Sequence, residues 1–209
     1  KTRAYHSYSK NDYPFLNKYI LPHPEEDINS NAEFGKYGIM QEVYFRPKNN
    51  HQLSIRGWFQ DANRSIPTVL SDESSDELKA RENRQTDETV KAVASYDFYG
   101  QKFHLSAKSG IDVQHLDYKH IYKTSQTQTD IVKSYSDMLS VYNNLQGDYD
   151  ISDRIKFTVQ GRYSLFDINS IDSVTGLGYD KIEHQTSLFG GAYIQLLPNA
   201  QLSVNLRND

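Results

Sequence analysis

No cysteine occurs in the 209 residues, so neither a disulfide framework nor a thiolate metal site is available. No run of some eighteen apolar residues occurs either, which excludes a membrane-spanning helix. It leaves a spanning barrel open, because the alternation of a barrel strand averages to a low hydropathy, and the mean hydropathy here is −0.74. A net charge of −4 with no basic stripe argues against a nucleic-acid partner. The N-terminus, Lys1-Thr2-Arg3-Ala4-Tyr5, has none of the marks of a secretory signal. No nucleophile, base and acid constellation can be assembled, and Gly176 and Gly178 lack the strand-to-helix context of a phosphate loop. The chain is therefore not expected to be an enzyme.

What the sequence does have is period-two alternation. From Tyr37 to Arg46 the odd positions are Tyr37, Ile39, Gln41, Val43 and Phe45, while the even ones include Glu42 and Arg46. After a turn at Pro47-Lys48-Asn49-Asn50 the same parity resumes with Leu53, Ile55, Gly57 and Phe59 against Ser54, Arg56, Trp58 and Gln60. Such a pattern is a strand hairpin with one apolar face. Comparable hairpins follow, and the four are expected at about 36–64, 88–119, 138–166 and 184–208. Residues 1–35, rich in turn formers, read as a long loop on the external side.

Three features make this a membrane barrel. About forty positions fall on the apolar faces and none is charged, although at 24% charged residues roughly ten would land there by chance. A lipid-facing surface excludes charge in this way. The opposite faces carry Glu42, Arg46, Arg56, Lys91, Asp97, Lys108, Asp112, Asp148, Lys156 and Arg162, too many ions for a dry interior. Short turns at Pro47, Gly100, Asp150 and Pro198 alternate with connections expected to be about fifteen to twenty-five residues long, the outer-membrane pattern. Phe45, Phe98, Phe103 and Tyr149 lie where one aromatic girdle would run, and Tyr37, Phe59 and Tyr163 where the other would. The expected fold is all-β: an antiparallel transmembrane β-barrel wall of about eight strands, integral to a bacterial outer membrane. If the short turns are periplasmic, both ends of the segment lie outside. That arrangement suits a piece cut from a larger barrel, with an unpaired edge on each side.

Candidate ligand contacts are Tyr5, Tyr8, Tyr13 and Phe15, aromatics of the first loop that would stack on a flat ligand at the mouth or wedge the loop against its neighbours. Trp58, on the wet face, and Arg64 complete the set. The acidic run Asp72, Glu73, Asp76 and Glu77 offers the oxygens calcium takes. Its spacing is not that of an EF-hand, and a solvated loop is the alternative. His104, His115 and His184 have no metal-ligand spacing, and no cofactor is called for.

Several stretches together resemble the barrel of TonB-dependent outer-membrane receptors of the Bacteroidota. They are Asn11-Asp12-Tyr13-Pro14-Phe15, then Tyr37 through Pro47, then Asp61-Ala62-Asn63-Arg64-Ser65-Ile66-Pro67, and Asn83-Arg84-Gln85-Thr86-Asp87. Within that family the vitamin B12 (cobalamin) receptor group is the most similar. The resemblance implies a barrel of about twenty-two strands around a plug, with uptake energised through contact between the plug and the TonB complex. No plug-like segment is found in this chain. Cobalamin is the expected cargo, with a siderophore, haem or a glycan as alternatives and a surface lipoprotein as lid. A passive porin or structural barrel protein is the alternative of another class.

Overall fold

The computed structural model describes residues 1–18, 23, 25–29, 31–67, 81–123 and 126–208. Eleven strands account for most of them: β1 (Thr2–Ser9), β2 (Pro14–Asn17), β3 (Glu25–Ile28), β4 (Phe34–Phe45), β5 (His51–Ser65), β6 (Arg81–Tyr99), β7 (Phe103–Lys123), β8 (Gln128–Ser152), β9 (Ile155–Asp172), β10 (Gly178–Leu197) and β11 (Ala200–Asn208). Nine of them form one sheet in the order β1-β4-β5-β6-β7-β8-β9-β10-β11, and β2 pairs with β3 in a separate two-stranded sheet. Every pairing is antiparallel. From β4 onward the sheet is a plain meander, each strand bonded to the next in sequence.

The alternation read from the sequence becomes a difference between two faces. Outward lie Val43, Phe45, Ile55, Leu145, Val159, Leu188 and Leu206, all exposed, Val159 at 65% and Leu206 at 77%. The other face holds the crowded side chains: Glu42, Ser54, Ser95, Ser106, Ser140 and Asp148 are buried. Among the described residues only two apolar side chains, Ala32 and Ala62, are buried. Crowding on one side alone means that the sheet curls, with the polar face concave. No second layer covers Phe157 and Val159, which are 42% and 65% exposed. An apolar face this large is not left to water by a soluble protein. Phe103, Tyr149 and Phe157 sit side by side in register across β7, β8 and β9, and Tyr37 and Phe59 meet at 6.0 Å between ring centres further along the strands. Aromatics thus bracket the apolar band near both of its limits.

Two expectations need correction. Residues 1–35 are not simply a loop, because Thr2–Ser9 is a ninth strand of the main sheet, paired with β4 from Thr2↔Gln41 to Ser9↔Phe34. Its alternation is faint, since what holds it is the backbone edge that β4 offers, and backbone pairing leaves no mark in hydropathy. The connections opposite the short turns are also not uniformly long. Residues 124–127 join β7 to β8, and residues 173–177 join β9 to β10. The polar residues flanking these two connections are strand extensions that keep pairing beyond the apolar band, as in Asp117↔Tyr135 and Asp137↔Asn169. With 25 residues, β8 is about 80 Å long, whereas roughly ten tilted residues cross a hydrocarbon layer. The wall therefore stands far beyond the band.

The β2–β3 hairpin leaves the wall through a neck of asparagines. Asn11 and Asn31 both take left-handed backbone conformations, with φ of 52° and 56°, which asparagine tolerates better than most residues. The Asn11 amide donates to the Ala32 carbonyl at 2.8 Å, that of Asn29 to the Asn11 carbonyl at 2.9 Å, and that of Asn31 to the Ile66 carbonyl at 3.0 Å.

Candidate functional site: the concave wall

Inward side chains line up in cross-strand rows, because each row follows the pairing from one strand to the next. One row runs Arg3, Met40, Trp58, Lys91, Asp112, Ser140, Phe166, Glu183. The Lys91 ammonium lies 5.9 Å from the Trp58 ring centre and 2.6 Å from the Asp112 carboxylate. Trp58 is thus half-buried in the wall beneath a cation.

Toward the short turns a second cluster forms around Asp148, which is 6% exposed. Its carboxylate accepts from Thr158 Oγ1 at 2.6 Å and from the Gln146 amide at 3.2 Å, and it meets His104 Nδ1 at 3.2 Å. Lys156 Nζ lies at 3.6 Å. The His104 ring stacks on Tyr99 at 4.6 Å, and its Nε2 is 3.5 Å from Asp97. A carboxylate this sheltered persists only because donors surround it. The cluster ties β6 through β9 together at one end of the lumen.

Of the aromatics expected at the mouth, Tyr5 and Tyr8 lie in β1 and point to opposite faces, as an odd spacing in a strand requires. Tyr5 is on the concave side, its ring across Gly38, its hydroxyl donating to Gln60 at 2.9 Å and Lys36 5.5 Å from its ring centre. A side chain on Gly38 would strike Tyr5 and the Phe59 carbonyl, so the absence of a Cβ there makes the seat. Tyr8 faces outward beside Gly35. Tyr13 lies just before β2 and is 60% exposed, while Phe15 pairs with Asp27 within the hairpin. Arg64 is on the concave side, 3.1 Å from Asp87. The wall thus brings Tyr5, Trp58 and Arg64 to one face; Tyr8 is on the other, and Tyr13 and Phe15 belong to the separate hairpin. Asp72, Glu73, Asp76 and Glu77 lie outside the described residues. Among the described residues no group of three or more His, Asp or Glu side chains has metal-binding geometry. His115 pairs with Asp137 at 2.6 Å and His184 with Tyr163 at 2.9 Å, both on the outward face.

A depression of about 580 Å³ lies on the outward face, floored by Ala94, Ala107, Ser109 and Gly161 and walled by Tyr96 and Leu188. Small residues in neighbouring strands create it. It opens on the apolar side, away from the polar wall.

With this geometry in view, the chain resembles the solved structure of the ferric citrate transporter FecA in its unliganded form, with a TM-score of 0.65 at 12% identity over 85% of this chain and 28% of that one. The fold is that of an antiparallel β-barrel wall. This chain spans little more than a quarter of the length of the protein it matches. No family model matches it, and no curated protein does. At this identity the likeness is one of fold; β1 and β11 occupy the two ends of the strand order.

Proposed function

We propose that this chain is part of the wall and vestibule of an outer-membrane receptor that imports a large, scarce nutrient, with energy from the TonB complex reached through a plug in the same parent protein. The observation that carries the reading is the reversal of the two faces, apolar outward and ionic inward, on a fold shared with a transporter. The outward face is the one hydrocarbon would cover, and the concave one would border water. Unpaired edges at β1 and β11 would be closed by further strands, to about twenty-two in all if the parent follows the plugged transporters.

Cobalamin or another corrinoid is the cargo proposed first, on the sequence resemblance. An iron chelate is the second reading, favoured by the likeness to a ferric citrate transporter. A surface lipoprotein acting as lid is part of the proposal with either cargo. Binding of cyanocobalamin and of ferric citrate to the detergent-solubilised full-length parent separates the two. Saturable binding of the corrinoid alone establishes the first, and binding of the chelate alone establishes the second. Release of the parent from membranes by a carbonate wash without detergent would remove the barrel itself.

A further inference from the structure

Several inward cations meet a carboxylate. Lys91 meets Asp112 at 2.6 Å, Lys156 meets Asp148 at 3.6 Å, Lys181 meets Glu183 at 2.7 Å and Arg64 meets Asp87 at 3.1 Å. Lys108 and Arg162 have no such partner among the described residues, and both are exposed. They belong to one cross-strand row: Tyr44, Ser54, Ser95, Lys108, Asn144, Arg162, Ser187. That row holds no carboxylate. Asn144 lies between the two cations, and its Oδ1 is already taken by the Gln160 amide at 2.6 Å, which leaves its own amide hydrogens to donate. Asp97, a carboxylate of the adjacent row, sits 3.5 Å from His104 Nε2.

From this arrangement we infer that Lys108, Asn144 and Arg162 form an anion-binding station on the concave wall, one that takes a carboxylate or phosphate group. Lys108 and Arg162 are two strands apart, about 10 Å, and their long stems let both heads converge on one anion above Asn144. Every group offered there is a donor. A carboxylate or phosphate would complete charge-assisted hydrogen bonds that nothing in the described wall supplies, while a neutral ligand would leave both charges uncompensated. The inference rests on the barrel reading, since it needs the concave face to border water, and it is independent of which nutrient is carried.

Such an anion has two sources, a soluble one or a carboxylate from elsewhere in the same polypeptide. The test uses the full-length parent in detergent at low ionic strength, with citrate and inorganic phosphate as probes by calorimetry. Treatment with a carbodiimide runs in parallel, because it joins an amine to a touching carboxylate. Saturable probe binding that weakens about 10- to 100-fold in Lys108→Gln and in Arg162→Gln, but not in Lys91→Gln, assigns the station to a soluble anion. Absence of probe binding together with a Lys108 cross-link to another segment, lost in Lys108→Gln, assigns it to an internal carboxylate. Neither binding nor cross-link in a correctly folded parent overturns the station, and so does binding that both substitutions leave unchanged. Lys108→Arg keeps the charge and retains the wild-type result in the calorimetric arm. Extraction by carbonate wash would instead sink the barrel reading, a different failure with a different readout.

Discussion

The two faces of a single strand show how differently this wall treats the same residue types. On β9, Val159 points outward and is 65% exposed, while its neighbour Gln160 points inward and donates to Asn144. On β8, Leu145 is 55% exposed and Asp148 only 6%. A water-soluble sheet would have these values the other way round. The lesson is that burial within one chain does not measure hydrophobic stabilisation here. The apolar face has no covering layer among the described residues, and the polar face is crowded because the sheet curls toward it.

The sharpest way to break this comparison is to put a charge on each side in turn. Val159→Lys sets an ammonium in the apolar band and is expected to cost about 2 to 4 kcal/mol, whereas Gln160→Lys, one residue away, is expected to cost about 1 kcal/mol, that of the lost hydrogen bond to Asn144, because its head reaches the lumen. Denaturant unfolding of the full-length parent in micelles, read by the shift of its electrophoretic mobility, measures both. Equal costs would mean that the two faces see the same solvent.

That contrast was readable from the sequence because hydropathy alternates with the pleat. It was readable only where one parity is greasy. β4, β5, β8 and β9 announce themselves through rows such as Leu139, Val141 and Leu145 against Tyr142, Asn144 and Gln146. β1 does not, because Ala4, His6 and Tyr8 on one side and Arg3, Tyr5 and Ser7 on the other are equally mixed; it is held by backbone pairing with β4. The extensions past the apolar band fail to show for the same reason. The concave clusters were half visible. That Lys108, Asp148 and Arg162 share the wet face follows from parity, but that Lys108 has no carboxylate partner among the described residues while Lys91 has one depends on register, which alternation within a single strand does not reveal. Tyr8 illustrates the cost of assigning a loop where a strand exists, since a strand sends Tyr5 and Tyr8 to opposite faces.

A smaller effect is expected from the concave side alone. Asp148→Ala removes the acceptor for Thr158, Gln146 and His104 and the counter-ion of Lys156. Loss of charged hydrogen bonds at a sheltered carboxylate is expected to cost about 2 kcal/mol. Asp148→Asn keeps part of the acceptor set and should cost less. The same micelle unfolding measures both variants, and because the change is inward, insertion and detergent extraction should remain as in the wild type. Loss of membrane insertion in Asp148→Ala would mean that the inner network, and not the outer band, decides assembly.

The smallest expected effect lies beyond both faces, at the turn joining β9 to β10. Asp172, the last residue of β9, accepts from the Val174 backbone at 3.0 Å, from Thr175 Oγ1 at 2.9 Å and from the Lys133 backbone at 3.3 Å. Those donors, the Val174 amide first, hold its carboxyl below the usual aspartate range. A carboxyl whose folded value is depressed contributes its stabilisation above the ordinary aspartate value, and that contribution disappears as pH falls through the depressed one. The turn should therefore be tight at neutral pH and loosen only in acid below the ordinary aspartate range. Amide hydrogen exchange at Val174 and Gly176, whose backbone amides donate to Asp172, reads this directly. Asp172→Asn should raise exchange at Val174 at neutral pH and flatten its response to acid, leaving exchange in the apolar band unchanged. If acid loosens the Asp172→Asn turn as much as the wild type, the carboxylate is not what closes it, and the stiffness of this tip comes from the β9–β10 pairing beneath it.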